Sequence, residues 1–87
     1  MYNYVYVLHS QKNHTRYVGF TTDLKKRVKE HNDGLTYSTK FGRPWKLIYY
    51  EALPNKADAI NREKYLKSGW GKQFISKTLF HYFANLK

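Results

Sequence analysis

Several side chains in this sequence carry groups that act on phosphates. The candidates are Tyr6, Tyr17, Arg27, His31 and Glu63. Arg27 suits a phosphate because its planar guanidinium is always charged and donates two parallel hydrogen bonds. His31 can serve as a base, a proton shuttle or a metal ligand. Together these groups would support the cleavage of a phosphodiester bond.

Glu63 is the sharpest of these candidates because it lies within an apolar helix side, three residues from both Ile60 and Leu66. An ionised carboxylate on a packing face loses solvation energy unless something compensates it. A divalent cation would do so, as would a basic partner such as Arg27. The spacing leaves an alternative equally open, in which Glu63 lies at the edge of the apolar stripe and pairs with a surface lysine.

The other candidates also have ordinary structural explanations. A solvated helix arginine is the more common role for a residue spaced like Arg27. A hydrogen-bonded histidine near a helix end is at least as common for His31. Tyrosines in strands, such as Tyr6 and Tyr17, pack in the core by default. No single candidate therefore establishes a site.

Two predicted strands position the tyrosines. The apolar run 4–8 indicates a buried strand, and 16–21 indicates a second one, so we expect an antiparallel hairpin. Alternation in a strand puts Tyr17 and Gly19 on one face. Gly19 has no side chain to pack, which is typical of a bulge or of a close approach by a ligand or backbone.

A helix should follow the second strand and carry Arg27 and His31. Thr21 or Thr22 can cap it, with Asp23 in its first turn. The sequence 32–34, Asn-Asp-Gly, is a stop signal. The spacing places Arg27 and His31 beside the apolar stripe of this helix rather than on its open surface.

The basic and aromatic loop 34–45 has a composition suited to a nucleic-acid backbone. The contacts we expect from this loop and the preceding helix are Lys26, Tyr37, Thr39, Lys40 and Arg43. An ordinary connection whose aromatics pack inward explains the loop equally well.

The remaining pattern predicts a third strand over 46–52, a second helix over 56–68 and a third helix over 71–86. Asn55 can cap the second helix, and Gly69 should end it.

The composition limits which binding partners and which cellular location are expected. The chain has 87 residues, which suits one domain spanning 1–87, and a formal net charge of +10. A body this basic favours a polyanion, most simply nucleic acid, over an anionic membrane or an acidic protein. The absence of cysteine, of a signal peptide pattern and of a membrane-spanning run indicates a cytoplasmic protein. Only six acidic residues, scattered along the chain, argue against a two-metal nuclease site.

The order of these motifs resembles the GIY-YIG endonuclease family. Tyr4-Val5-Tyr6 stands for the first triplet of that family and Tyr17-Val18-Gly19 for the second. The remaining matches are Arg27, His31 and Glu63. The short chain is most similar to the stand-alone bacterial branch, and so to the N-terminal domain of the excision-repair nuclease without its attachments. The sequence departs from the pattern at Tyr4, which replaces a glycine.

The resemblance implies an α+β fold, a small three-stranded antiparallel sheet flanked by helices, and the pattern β-β-α-β-α-α agrees with it. It also implies hydrolysis of nucleic acid, DNA more readily than RNA, with one Mg²⁺ or Mn²⁺ held by Glu63. In this scheme Arg27 stabilises phosphoryl charge, and Tyr6 accepts a proton from the attacking water. Tyr17 orients the water or the phosphate, and His31 assists a tyrosine.

Two other functions stay open for this sequence. One is a nucleic-acid-binding module that does not cut, or that cuts only within a larger assembly. The other is an adaptor domain that binds an acidic protein.

Overall fold

A three-stranded antiparallel sheet forms the centre of the computed structural model, which describes residues 1–86. The strands are β1 (Asn3–Ser10), β2 (Arg16–Thr21) and β3 (Trp45–Leu53), in the order β2-β1-β3. This confirms the predicted fold class. The first strand is longer than the strand predicted from the apolar run, because the polar side chains at its ends form hydrogen bonds. The Asn3 amide donates to Leu53 O, and the Ser10 hydroxyl donates to Gly42 O.

The helix α1 (Leu24–Asn32) follows β2 directly. Its N-cap is Asp23, whose carboxylate accepts from the Lys26 amide at 3.2 Å. The predicted cap, Thr21 or Thr22, is therefore wrong. The Thr21 hydroxyl instead accepts from the Asp23 amide, which shapes the turn before the helix.

The C-terminal helices depart from the prediction. Asn55 caps α2 (Lys56–Lys67) as expected. Gly69 does not end α2 but begins α3 (Gly69–Thr78). Ser68 ends α2 and also caps α3, because its hydroxyl accepts a hydrogen bond from the Gly71 amide.

The prediction of a single third helix is wrong. The chain leaves helical geometry at Leu79, and a separate helix, α4 (Phe80–Ala84), follows. The break lets α4 reach the hairpin. The Tyr82 hydroxyl lies 2.8 Å from His9 Nδ1, and the Arg16 guanidinium lies 4.2 Å from the centre of the Phe83 ring.

The two faces of the sheet pack against different helices. Alternate residues of β1, including Val5 and Val7, face Ala59, Leu66 and Ile75 of α2 and α3 and form the main core. The opposite face, which carries Tyr6, packs against α1 through His31. Helices thus cover both faces. Within residues 1–86, none of the helices has the length and apolarity needed to cross a membrane.

Candidate active site

The strand register places Tyr6 and Gly19 directly opposite each other on neighbouring strands. Directly opposed residues of an antiparallel pair share one face of the sheet. The Tyr6 phenol therefore lies across Gly19, and a Cβ at position 19 would collide with the phenol hydroxyl and ring. The close approach expected at Gly19 is thus made by a tyrosine of the candidate site.

A buried chain of hydrogen bonds begins at Tyr6. The Tyr6 hydroxyl lies 2.8 Å from His31 Nε2, and His31 Nδ1 lies 2.8 Å from Thr39 Oγ1. All three residues are at most 1% exposed. The Thr39 hydroxyl in turn lies 3.4 Å from the Thr36 carbonyl.

The end of this chain determines the direction of its protons. The Thr36 carbonyl can only accept, so the Thr39 hydroxyl donates to it and accepts from His31 Nδ1–H. The His31 Nε2 atom then has no proton and accepts from the Tyr6 hydroxyl. Burial, with the nearby Arg27 charge, lowers the pKa of His31 to about 4. His31 is therefore neutral at pH 7 and is oriented to receive a proton from Tyr6.

The charges around Tyr6 come from the other predicted site residues. Burial raises the pKa of Tyr6 to about 12. The positive charge of Arg27 opposes this rise, and the negative charge of Glu63 adds to it. Each of these groups thus lies close enough to Tyr6 to change its proton affinity.

Tyr17 forms the outer wall of the same cluster. Its ring centre lies 5.0 Å from that of His31 and 6.4 Å from that of Tyr6. It is only partly buried, whereas Tyr6 is buried almost completely. Tyr17 is therefore the tyrosine of the pair with more access to solvent.

Arg27 occupies the rim of the site. Its guanidinium donates to Glu30 Oε1 at 3.0 Å, one turn along α1, and its side chain is 34% exposed. The Glu30 hydrogen bond is the main cause of a raised Arg27 pKa. An arginine that is charged, oriented and partly exposed can still donate to an incoming phosphate.

Glu63 has the lysine partner that the sequence analysis left as an alternative. Its carboxylate lies 3.0 Å from Lys67 Nζ, one turn along α2, with the two side chains 22% and 54% exposed. The Arg27 pairing considered for Glu63 is not formed, since Arg27 binds Glu30. The lysine is the exposed member of this pair, so it can leave the partly buried carboxylate for water at little cost.

The surroundings of Glu63 suit a cation that takes part of its ligands from the substrate. Within residues 1–86, the structure holds no cluster of three or more His, Cys, Asp or Glu side chains that could bind a metal. Mg²⁺ in phosphoryl-transfer sites commonly uses one or two carboxylates, with waters and substrate phosphates as its other ligands. Glu63 suits that donor set, and a substrate phosphate would complete it.

A second ion pair holds the helix that carries Glu63. Arg62 donates to both carboxylate oxygens of Glu51 on β3, at 2.8 Å each, and Tyr49 donates to Glu51 at 2.6 Å. Burial raises the pKa of Glu51, but the Arg62 and Tyr49 hydrogen bonds outweigh it and leave the pKa below its usual value. This pair was not predicted from the sequence. An acid in β3 and an arginine 11 positions later have no periodic relationship that would reveal it.

The predicted nucleic-acid contacts divide into exposed and buried residues. Tyr37 is 79% exposed, and the Lys40 ammonium lies 5.1 Å from the centre of its ring. Lys26 and Arg43 are also exposed. Thr39 is only 1% exposed, so its side chain orients His31 and is not available to a backbone at the surface.

This fold and set of residues match a known family. The model of the GIY-YIG catalytic domain matches residues 2–74, and the chain belongs to the GIY-YIG family, a nuclease family whose members generally use a divalent metal.

Several relatives are proteins named UPF0213. One from Clostridium perfringens is 46% identical over 66 residues, which are 75% of this chain and 70% of that protein. The UPF0213 protein YazA of Bacillus subtilis is 41% identical over 66 residues, covering 75% of this chain and 67% of the relative. The solution NMR structure of a UPF0213 protein from Bacillus halodurans is similar with a TM-score of 0.56 and 31% identity, covering 90% of this chain and 85% of that one.

Proposed function

We propose that this protein is an endonuclease that hydrolyses phosphodiester bonds in nucleic acid, DNA more readily than RNA, with one divalent cation. The observation that supports this most directly is the buried chain Tyr6–His31–Thr39, whose tyrosine has a pKa that responds to the charges of Arg27 and Glu63. A tyrosine hydroxyl that is hydrogen-bonded to a neutral histidine is suited to proton transfer. The net charge of +10 attracts the chain to a polyanion such as nucleic acid. A cytoplasmic location is part of the same proposal.

Proton transfer is the part of the chemistry that Tyr6 and His31 would perform. With a pKa of about 12, Tyr6 is neutral at pH 7. Its oxygen would take a proton from the attacking water while its own hydroxyl proton passes to His31 Nε2. His31 would become an imidazolium, stabilised through Nδ1–H by the Thr39 hydroxyl. In the reverse relay, His31 Nε2 would return its proton to the Tyr6 oxygen while the Tyr6 hydroxyl proton passes to solvent, and the leaving oxygen would take a proton from solvent.

The remaining side chains would bind and orient the phosphate. Arg27 would exchange part of its Glu30 contact for the phosphoryl oxygens and stabilise the charge that develops there. Tyr17, which is partly exposed, would hold the water or the phosphate through its hydroxyl. Glu63 would hold Mg²⁺ or Mn²⁺ after releasing Lys67. When bound, such a cation supplies Lewis-acid stabilisation of the leaving oxygen.

A second candidate function is a nucleic-acid-binding module that does not cut, or that cuts only within a larger assembly. The observation that favours it is the Glu63–Lys67 pair, because the carboxylate that should hold the metal is already engaged. Both candidates require the basic surface, so binding alone does not separate them.

Cleavage of a mixed panel of substrates tests the proposal. Single-stranded, duplex and branched DNA and RNA would be incubated with Mg²⁺, Mn²⁺ or chelator. The proteins are the native chain, Glu63→Gln, Arg27→Ala and, as a matched acid on the same helix, Asp58→Asn. We expect metal-dependent cleavage that Glu63→Gln and Arg27→Ala lose and Asp58→Asn keeps. Salt-sensitive binding without cleavage of any substrate would favour the binding module.

A further inference from the structure

A cavity of about 240 Å³ lies on the face of the sheet that carries Val18, next to the helix that bears Glu63. It lies between β2, the end of α2 and the start of α3. Val18, Leu66 and Ile75 give it an apolar floor, and Tyr17 lines one edge. Its size is below the roughly 300–1,000 Å³ of pockets for drug-sized ligands, which suits a single ring system.

The rim of this cavity is positively charged. Arg16, Lys67 and Lys72 surround the apolar floor, and none of the described residues that line the cavity is acidic. An apolar slot edged by cations complements a flat, weakly polar ring that is attached to negative charge. A nucleotide has this combination, with a stacking base and flanking phosphates.

Arg16 is held in place rather than freely solvated. Its guanidinium donates to the Lys72 carbonyl at 3.2 Å and to the Ser76 hydroxyl at 2.8 Å, and it stacks on Phe83. A fixed guanidinium loses little conformational entropy when an anion arrives. This makes the rim a preformed anion contact and not only a set of mobile surface lysines.

Two residues connect the cavity to the site of cleavage. Tyr17 lines the edge of the cavity, and its ring lies on the opposite face of the sheet, against His31. Lys67, on the rim, forms the ion pair with Glu63. A nucleotide bound in the cavity would therefore place its phosphate near the groups that we propose for hydrolysis.

We propose that this cavity receives the base of one unpaired nucleotide beside the phosphate that is cut, while Arg16 and Lys72 hold the adjoining backbone. The position of the cut relative to this nucleotide rests on the proposed function, whereas nucleotide binding does not. A base within a duplex cannot enter such a slot without leaving the stack. The cavity would thus favour strands whose base at this position is already unpaired.

Methyl NMR of the full chain tests the binding of a base. The probes are deoxyadenosine 5′-monophosphate and 2-deoxyribose 5-phosphate, which has the same phosphate and no base, each added with chelator. We expect the nucleotide to shift the Ile75, Val18 and Leu66 methyl signals, with an apparent affinity about tenfold above that of the sugar phosphate. Ile60, on α2 but outside the cavity lining, is the internal control.

Charge reversal at the rim provides a second measurement. Lys72→Glu should weaken binding of the nucleotide, and of a short single-stranded oligonucleotide, by about fivefold or more. Lys77→Glu makes the same change in charge on the same helix, outside the cavity lining, and should have a much smaller effect. Both side chains are exposed, so neither change is expected to unfold the chain.

The outcomes separate this proposal from the nuclease proposal. Equal shifts by both probes, shifts as large at Ile60 as at Ile75, or equal effects of the two lysine variants would overturn the subsite. Cleavage of the substrate panel without nucleotide-specific shifts would overturn the subsite and leave the nuclease. Nucleotide-specific shifts at Ile75 with no cleavage of any substrate would support the subsite and count against the nuclease.

Discussion

The hydroxyl of Tyr6 lies 2.8 Å from Nε2 of His31, in the interior of the protein. The two residues come from different elements, β1 and α1, and lie 25 positions apart in the sequence, with β2 between them. Because the other imidazole nitrogen is bonded to Thr39, the histidine is oriented at both ends. The predictions that follow test this arrangement and the elements that hold it.

Thr39→Val should separate the role of the hydroxyl from that of the side-chain shape. Valine fills the same volume but leaves His31 Nδ1–H without an acceptor, a loss of about 1–3 kcal/mol in unfolding free energy. The tautomer that gives Nε2 a free lone pair would no longer be favoured, so we expect cleavage to fall at least about tenfold.

Thr39→Ser is the control, because it keeps the hydroxyl and should keep most of the activity. The ¹⁵N chemical shifts of His31 report the tautomer directly. A Thr39→Val protein with an unchanged tautomer and full cleavage would contradict the proposed proton path.

Gly19→Ala should damage the site although it adds only one methyl group. The new Cβ would collide with the Tyr6 phenol and push its hydroxyl away from His31. We expect a destabilisation of about 1–3 kcal/mol, as for other overpacked cores, with strongly reduced cleavage.

Gly69→Ala is the matched control, since nothing lies within 4 Å of a Cβ at that position. It should leave cleavage unchanged and be neutral or slightly stabilising in α3. Denaturant unfolding and cleavage rates of the two variants make the comparison, and equal behaviour would show that the Gly19 contact does not matter.

Acid should destabilise the folded chain through His31. The pKa of His31 is about 4 when folded and near its ordinary value of 6.5 when unfolded. Between these values the unfolded state binds more protons, so stability is full above pH 6.5 and falls as the pH drops towards 4. The difference corresponds to a contribution on the order of 3 kcal/mol.

Urea unfolding at pH 7.0, 5.5 and 4.5 measures this dependence. His31→Gln should flatten it, although His9, whose pKa is lowered mainly by burial, retains a slope of the same sign. A His31→Gln protein with the full native slope would show that His31 does not titrate in this range. Cleavage by the native chain should also persist below pH 6.5, because His31 stays neutral there.

The strands and the first two helices could be predicted from the sequence because nearby residues determine them. Strand alternation put Tyr17 and Gly19 on one face, and the Asn55 cap was visible as a side chain before a helical stretch. The long third helix failed because its apolar pattern continues through Leu79. The break there is stabilised by tertiary contacts of Tyr82 and Phe83 with β1 and β2, which no local pattern contains.

The site shows the same division between local and tertiary information. Residue types and order were enough to single out Tyr6, Tyr17, Arg27, His31 and Glu63. They did not reveal that Thr39 is an internal partner of His31, because it lies in an irregular loop where burial has no period. Whether these residues catalyse cleavage stays a prediction for the variants above.

The Glu51–Arg62 pair should contribute to activity through position. It joins β3 to α2, and Glu63 is the next residue after Arg62, so the pair fixes the rotation of the helix that presents Glu63. Arg62 also lies 4.8 and 4.9 Å from the centres of the Tyr65 and Phe74 rings. We expect Arg62→Met to lower the unfolding free energy by about 1–3 kcal/mol, less than for a fully buried pair because both side chains keep some exposure.

A double-mutant cycle over Glu51→Gln and Arg62→Met isolates this pair, and the exposed Lys29–Asp33 pair on α1 provides the comparison. Its side chains are 75% and 45% exposed, so water and salt screen its charges and its coupling should be well below that of the Glu51–Arg62 pair. If Arg62 positions Glu63, its variant should need more Mg²⁺ for half-maximal cleavage, whereas Lys29→Met should not. A destabilised Arg62→Met protein with an unchanged Mg²⁺ requirement would mean that the pair stabilises the fold without positioning Glu63.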